Sequence, residues 1–385
     1  MNKPHFIIKN RFQKRDYTYR DLLKPVILKD VCFRLTGKRD YSVTFDDEGY
    51  NKGRLAELQY KGKRYFVTFS ESEAGQGRNY SFQSVPSALN TWAIETGGTG
   101  NLYFYFLPTV GNYESAYFSF MYRLMRTMGV VFMNADSFLS SPVVAFNSVA
   151  DLSLTRDANR SRNSSNNSSY ITIGEDRSVQ VYAKTYGANK YESTLLGMAL
   201  SRLTEESVDM YQICEGGLKQ LPERSLQALD IVGKGRIKVI PTDMTMEIEH
   251  FKESDSLRSP QYMYNLLALR GMKKCSLCSC DVPEIIQGAH IWGVSQIKHT
   301  PGLSLDEKLK YALDGKNGLW LCENHHKMFD AEIISFSQDG KVILRNNLMQ
   351  TQRKFIEWAT PSMWLPEELI SSEGFKFYLS KRYAA

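Results

Sequence analysis

Potential metal ligands are concentrated in one short part of this chain, residues 275–330. That segment holds four of the six cysteines and four of the six histidines among 385 residues. It opens with a Cys-x-x-Cys pair, Cys275 and Cys278, and a Cys-x-x-His pair follows at Cys322 and His325. Two such pairs can supply the four ligands of one tetrahedral zinc ion. The sequence therefore predicts a small domain braced by a structural zinc, with any chemistry carried by other side chains.

The polar residues that remain stand in an order that resembles the HNH nuclease family. The matching residues are His290 in Gly-Ala-His-Ile, Asn317 in Lys-Asn-Gly-Leu, and His326 directly after the zinc-type histidine. The resemblance implies a ββα-metal unit, in which a histidine ends one strand, an asparagine lies near the second and the last histidine lies on the following helix. Many family members carry an acid or a histidine as a metal ligand immediately before the base, where this chain has Ala289. The resemblance covers about one small domain.

The spacing of these residues also suits phosphodiester hydrolysis. His326 and Asp330 stand four apart on a predicted helix, so both side chains project from one face and can share a divalent cation, Mg²⁺ or another, with phosphate oxygens. His290 is then free to take a proton from an attacking water, because the pKa of an imidazole ordinarily lies near neutral pH. The cation would offset charge on the departing 3′ oxygen. Asn317 either orients His290 or supplies an oxygen to the metal.

Simpler interpretations of the same residues exist. The cysteines alone are compatible with a structural zinc knuckle in a binding protein. His290 and His326 are compatible with partly buried structural histidines, and Asp330 with the cap of a turn. The ordered set of groups favours an active site over these readings. Cys280 and His299 are interpreted as bystanders.

Composition places the whole chain among ordinary globular proteins. The hydrophobic content is 42% and the aromatic content 12%, which excludes a disordered chain. A net charge of +6 suits a nucleic-acid partner but does not predict one by itself. Cys32 and Cys214 are isolated, so no disulfide framework is expected and a reducing compartment fits best. Without an evident secretory signal or membrane span, we expect a bacterial cytoplasmic protein that does not bind a membrane.

Alternating strand and helix patterns predict a mixed α+β fold with two domains. We expect residues 1–258 to form a DNA-recognition and dimerisation domain, and residues 259–385 to form an HNH nuclease domain with a C-terminal extension. Residues 155–169, which are rich in Arg, Asn and Ser, predict a mobile loop or internal linker. The side chains expected to contact DNA in the N-terminal domain are Arg156, Arg160, Arg162, Lys184, Asn189 and Lys190.

The function predicted from these features is that of a sequence-specific restriction endonuclease of a restriction-modification system. It would hydrolyse double-stranded DNA to 5′-phosphate and 3′-hydroxyl ends. One active site per chain implies a homodimer on a symmetric target, because each strand then meets one site. Two alternatives remain open. One is an anti-phage defence effector whose N-terminal domain senses a modified base or a small signal, and the other is a zinc-stabilised DNA-binding protein without catalysis.

Overall fold

Helices and strands are mixed along the whole chain, as the sequence predicts. The computed structural model describes residues 3–9, 19–46, 55–70, 84–107, 114–159, 168–174, 177–187, 189–214 and 220–383. The described helices are α1 (Tyr19–Leu22), α2 (Pro25–Thr36), α3 (Ser84–Thr96), α4 (Ala116–Thr127), α5 (Val149–Ala158), α6 (Asn189–Leu203), α7 (Glu223–Gly233), α8 (Met244–Ser254), α9 (Pro260–Arg270), α10 (Val294–His299), α11 (Leu305–Leu313), α12 (Glu323–Asp330), α13 (Gln350–Ala359), α14 (Glu367–Ile370) and α15 (Glu373–Tyr383). The described strands are β1 (His5–Lys9), β2 (Ser42–Asp46), β3 (Leu55–Tyr60), β4 (Lys63–Phe69), β5 (Leu102–Tyr105), β6 (Val131–Phe132), β7 (Ser169–Ile173), β8 (Val179–Lys184), β9 (Val208–Ile213), β10 (Ile237–Thr242), β11 (Ile286–His290), β12 (Gly318–Cys322), β13 (Ile334–Phe336) and β14 (Val342–Leu344). The predicted α+β class is confirmed.

Contacts between residues divide the chain into two compact units. The first comprises Met1–Ser169, Ala183–Gln212 and Lys219–Val239. The second comprises Tyr170–Tyr182, Ile213–Leu218 and Ile240–Ala385, so α8 and the loop that leads to α9 belong to it. Among the described residues, no helix has both the length and the apolar character needed to cross a bilayer.

A six-stranded sheet organises the first unit, in the order β2-β1-β3-β4-β5-β6. The hairpin between β3 and β4 turns at Lys61 (φ 48°) and Gly62 (φ 74°), where two successive positive φ values match the twist of the flanking strands. Helix α2 packs on one face of this sheet. The buried apolar side chains of that layer are Phe6, Ile8, Leu23, Ile27, Leu28, Val31, Cys32, Ala56, Leu58, Val67, Phe69, Tyr105 and Leu107.

The segment 155–169 differs from the expectation of a loop or linker. Residues up to Ala158 belong to helix α5, which begins where the Ser148 hydroxyl accepts a hydrogen bond from the Asp151 backbone N–H. Ser169 opens β7, in a four-stranded sheet of order β10-β9-β8-β7. The linker interpretation is therefore wrong at both ends of the segment. Residues 160–167, including Arg160 and Arg162, lie outside the described part of the chain.

The centre of the second unit is a pair of short antiparallel strands followed by a helix. Strands β11 and β12 pair with His290 opposite Gly318, and α12 begins directly after β12. Helix α9 lies against this pair. A Cβ at Gly318 would stand 2.4 Å from the Tyr262 hydroxyl, and one at Gly288 would stand 2.8 Å from Leu266 Cδ2. The two glycines thus permit the close approach of α9.

The C-terminal helix α15 is fixed to this centre by burial and hydrogen bonds. Phe375 and Tyr378 are buried. The Tyr378 hydroxyl donates a hydrogen bond of 2.6 Å to Asp314. Arg382 donates to the carbonyl oxygens of Ile291 and Phe329 at 3.1 and 2.9 Å.

Replacing Gly318 with Ala should destabilise the second unit by roughly 1–3 kcal/mol, because the added methyl group is driven against the Tyr262 hydroxyl and Leu266. Four of the five tryptophans lie in this unit, so denaturant unfolding followed by tryptophan fluorescence reports it. The double variant Tyr262→Phe/Gly318→Ala should recover part of the loss, since the closest atom is removed. Purely additive effects of the two substitutions would contradict the proposed contact.

Candidate metal centre and catalytic cleft

The four predicted zinc ligands converge on one point. Their ligand atoms all lie within 4.8 Å of one another. Cys322 Sγ stands 3.0 Å from His325 Nδ1 and 3.9 Å from Cys278 Sγ, and Cys275 Sγ stands 3.4 Å from His325 Nδ1. Around a tetrahedral zinc with ordinary bond lengths, ligand atoms are separated by about 3.5–3.8 Å. The donor set and its spacing therefore fit zinc.

Each ligand is positioned by a different short element. Cys275 and Cys278 lie on a turn whose Ser276 backbone N–H donates to the Trp320 carbonyl of β12. Cys322 ends β12, and His325 lies in the first turn of α12. A metal bound here joins the turn, the strand and the helix. The Thr360 hydroxyl, 3.1 Å from His325 Nε2, fixes the orientation of the imidazole from the outside.

The electrostatics of the thiols favour a bound cation. Burial opposes ionisation of Cys275, but hydrogen bonds with His325 and with backbone groups lower the pKa of its thiol to about 6. Burial and the neighbouring Cys275 raise the pKa of Cys278 to about 12. The Cys275 thiol thus ionises easily, and its negative charge opposes ionisation of the Cys278 thiol. A cation at the centre reverses this repulsion, because it stabilises every thiolate that binds it.

A cleft of about 580 Å³ lies on the same unit and contains the remaining predicted residues. His290, His326 and Asp330 line it. Its other lining residues are Arg258, Ser259, Tyr262, Met263, Gln287, Gly288, Gly293, Val294, Ser295, Gln296, Glu332 and Arg382. The structure therefore brings the predicted base and both predicted cation ligands into one cavity.

His290 is held in a defined tautomer and orientation. Its Nε2 lies 2.9 Å from the Ala312 carbonyl oxygen, which can only accept, so Nε2 carries the proton. Nδ1 then bears the lone pair, and among the described residues it has no hydrogen-bond partner. The ring of Tyr262 stacks on the imidazole, with centroids 3.8 Å apart and planes at 18°. Burial lowers the pKa of His290 to about 4, so the imidazole is neutral at physiological pH.

Asn317 acts differently from both alternatives predicted for it. The residue is fully buried. Its Oδ1 accepts a hydrogen bond of 2.7 Å from the Trp292 backbone N–H, and its Nδ2 donates to the carbonyls of Trp292 and Tyr311, both at 3.1 Å. The amide is therefore satisfied inside the protein and is neither bonded to the His290 ring nor exposed to a metal in the cleft. It fixes the backbone that follows His290.

His326 and Asp330 face each other on α12. His326 Nε2 lies 3.4 Å from Asp330 Oδ2. The Oε1 of Gln287, on β11, lies 2.6 Å from His326 Nδ1 and accepts its proton, which leaves the Nε2 lone pair for a cation. Within the described part of the chain, no third Cys, His, Asp or Glu is close enough to complete a group with these two. Mg²⁺ is often held by one or two carboxylates, with water and phosphate oxygens at its other positions, whereas an imidazole ligand suits transition metals.

The predicted DNA-contact residues of the first unit lie in varied positions. Arg156 is buried, with its Nη2 3.1 Å from Glu192 Oε1, and it also bonds to Ser169. This corrects the expectation that Arg156 stands on an open loop, because its guanidinium is engaged inside the unit. Lys184 ends β8 and is half-buried, while Asn189 and Lys190 are half-buried in the first turn of α6. Their predicted DNA contacts stay predictions.

Sequence reasoning did not identify Tyr262, Gln287, Arg258 or Arg382 as parts of the cleft. Tyr262 and Arg382 belong to helices far along the chain from His290, where a buried aromatic residue or a terminal arginine carries no distinctive pattern. One signal was available. A glycine inside a strand marks a close approach of another element, and Gly288 lies two residues before His290.

Comparison with known proteins identifies this part of the chain. Residues 275–337 match the family model described as HNH endonuclease. The matched region contains the four-ligand cluster, both strands of the pair, and helix α12. The chain thus carries an HNH endonuclease domain, which supports nuclease activity on DNA. The search of curated proteins returned no match.

Replacing Cys322 with Ser should remove the metal. The purified wild-type chain should contain about one zinc per molecule by elemental analysis, and the variant close to none, with unfolding of the second unit at a lower temperature. Cys280→Ser is the matched control, since Cys280 is not part of the four-ligand group. Equal zinc content in all three proteins would contradict the assigned centre.

The lowered pKa of His290 should make the second unit sensitive to acid. The unfolded chain binds a proton near the ordinary imidazole pKa of about 6.5, whereas the folded chain binds it near 4. Stability contributed by the neutral ring is therefore complete above pH 6.5 and is lost as the pH falls towards 4. The wild type should lose more unfolding free energy than His290→Gln over this interval. If the unfolding free energies of the two proteins changed with pH in parallel, the lowered pKa of His290 would be contradicted.

Proposed function

We propose that this chain is a restriction endonuclease that hydrolyses phosphodiester bonds of double-stranded DNA and leaves 5′-phosphate and 3′-hydroxyl ends. The observation that carries the proposal is the His290 imidazole, which lies in a cleft on an HNH endonuclease domain. Its Nε2–H donates a hydrogen bond to the Ala312 carbonyl, so Nδ1 remains as a proton acceptor. A structural histidine needs no such cleft. A general base needs both the cleft and the lone pair.

The chain's own residues provide the steps of hydrolysis. His290 Nδ1 takes a proton from the water that attacks phosphorus, and the stack on Tyr262 keeps the ring in place as it becomes charged. His326 and Asp330 would hold a divalent cation, Mg²⁺ or a similar ion, which would supply positive charge to the departing 3′ oxygen. Gln287 sets the tautomer of His326 that can bind it. Asn317 fixes the backbone at Trp292, two residues after His290.

Target choice is assigned to the first unit. An HNH domain of this size offers little surface, whereas sequence-specific recognition of DNA usually buries about 1,000–2,500 Å² of protein. The first unit provides the additional surface. Because each chain carries one HNH domain, cleavage of both strands implies a homodimer on a symmetric target.

The decisive experiment is digestion of several plasmids of known sequence by the purified full chain with Mg²⁺. We expect discrete fragments whose ends carry 5′-phosphates. His290→Ala should cut at least a hundredfold more slowly, roughly the contribution of a general base, yet should bind DNA as tightly as the wild type. His299→Ala is the matched control, since this exposed histidine lies outside the cleft and bonds to the Ser295 carbonyl.

Other outcomes would reject this proposal in favour of a stated alternative. A smear of fragments, or cleavage only of modified DNA, would identify a defence effector with a sensing first unit. Binding without cleavage by the wild-type chain, at any divalent cation, would identify a non-catalytic DNA-binding protein. Equal cleavage by the wild type and His290→Ala would remove His290 from the reaction.

A further inference from the structure

Two arginines from outside the matched region reach the cleft. Arg258 precedes helix α9 and Arg382 belongs to the C-terminal helix α15, and both line the cavity beside His290. The carboxylates that line it, Asp330 and Glu332, come instead from the end of α12 and the turn after it. The two arginines and the two carboxylates thus enter the cleft from different parts of the fold.

Arg382 is a buried charge without a counter-ion. Its side chain is 8% exposed, and its two bonded NH groups donate to the carbonyls of Ile291 and Phe329 rather than to a carboxylate. Among the described residues, Nε has no hydrogen-bond partner and no acid forms an ion pair with this guanidinium. The Phe329 ring, whose centroid lies 3.9 Å from the guanidinium carbon, offsets part of the cost of burying this charge, and an anion would offset more of it. A ligand with negative charge in the cleft would do so.

Arg258 differs because its side chain is exposed. In the described part of the chain it makes no ion pair, and only its backbone N–H is bonded, to Ser256. Arg258 and His290 line the same cleft. A planar guanidinium free to move beside the reacting group is suited to bind phosphate oxygens through two parallel hydrogen bonds.

We propose that Arg258 and Arg382 form a phosphate-binding subsite that holds the backbone of the DNA strand next to His290. The inference rests on the proposed function. Arg258 contacts a phosphate directly, and Arg382 supplies fixed charge beneath it. The subsite would place a phosphodiester within reach of the base independently of the bound cation. It would also explain why the C-terminal helix, which lies beyond the matched region, is attached to the backbone at Ile291.

The test measures DNA binding rather than cleavage. Binding of a short fluorescent duplex to the full-length His290→Ala chain is followed over a range of salt concentrations, without added divalent cation. Each phosphate contact contributes about 0.9 to the slope of log K against log salt. Adding Arg258→Gln should lower the slope by about 0.9. Lys354→Gln, which removes an equal charge at an exposed site on α13 away from the cleft, should leave it unchanged.

An unchanged slope in Arg258→Gln, or an equal drop in Lys354→Gln, would overturn the subsite. Arg382→Gln should also lower the slope, and thermal unfolding of this variant shows whether it is folded. If the folded variant has the same slope as the parent His290→Ala chain, Arg382 does not belong to the subsite. The two proposals can fail separately. If the wild-type chain cuts plasmid but Arg258→Gln leaves the slope of the parent chain unchanged, only the subsite is rejected. If the wild-type chain never cuts DNA but Arg258→Gln lowers the slope, only the proposed nuclease activity is rejected.

Discussion

The cluster of three thiols and one imidazole, whose ligand atoms lie within 4.8 Å of one another and could hold one metal ion, is the constraint on which the second unit depends. The strands of the central pair have five residues each and the following helix has eight. Elements of this length are not stable alone in water. The four-ligand cluster ties the cysteine turn to the end of β12 and the start of α12, so one coordination sphere fixes the entry of the helix relative to the strands.

That small frame sets the geometry of the cleft. Because α12 leaves the strand pair at a fixed angle, His326 faces Gln287 of β11, and Asp330 follows one turn later. His290 is fixed at the other end of β11 by contacts from different parts of the chain: the stack of Tyr262, the carbonyl of Ala312, and the buried amide of Asn317, which holds the next residues. Packing thus orients His290, and the position of α12 against the strand pair orients His326 and Asp330.

Local signals predicted much of the secondary structure. The turn at Lys61 and Gly62, the helix Asn189–Leu203 and the helix after Ser259 follow from turn chemistry, periodicity and capping. The segment around Arg156 was misjudged because its composition resembles a linker. A buried pair with Glu192 gives that arginine a partner from a distant helix, which composition cannot reveal.

The sequence by itself predicted the α+β class and the four side chains that could hold a metal, because each depends on residue type and short spacing. It also singled out His290, His326 and Asp330, which line one cleft. Only the tertiary structure decided that Asn317 turns inward, that Tyr262 stacks on His290, and that Arg258 and Arg382 reach the cleft. Those facts depend on which elements pack together. Packing of distant segments is settled by the burial of the whole unit, which no local pattern encodes.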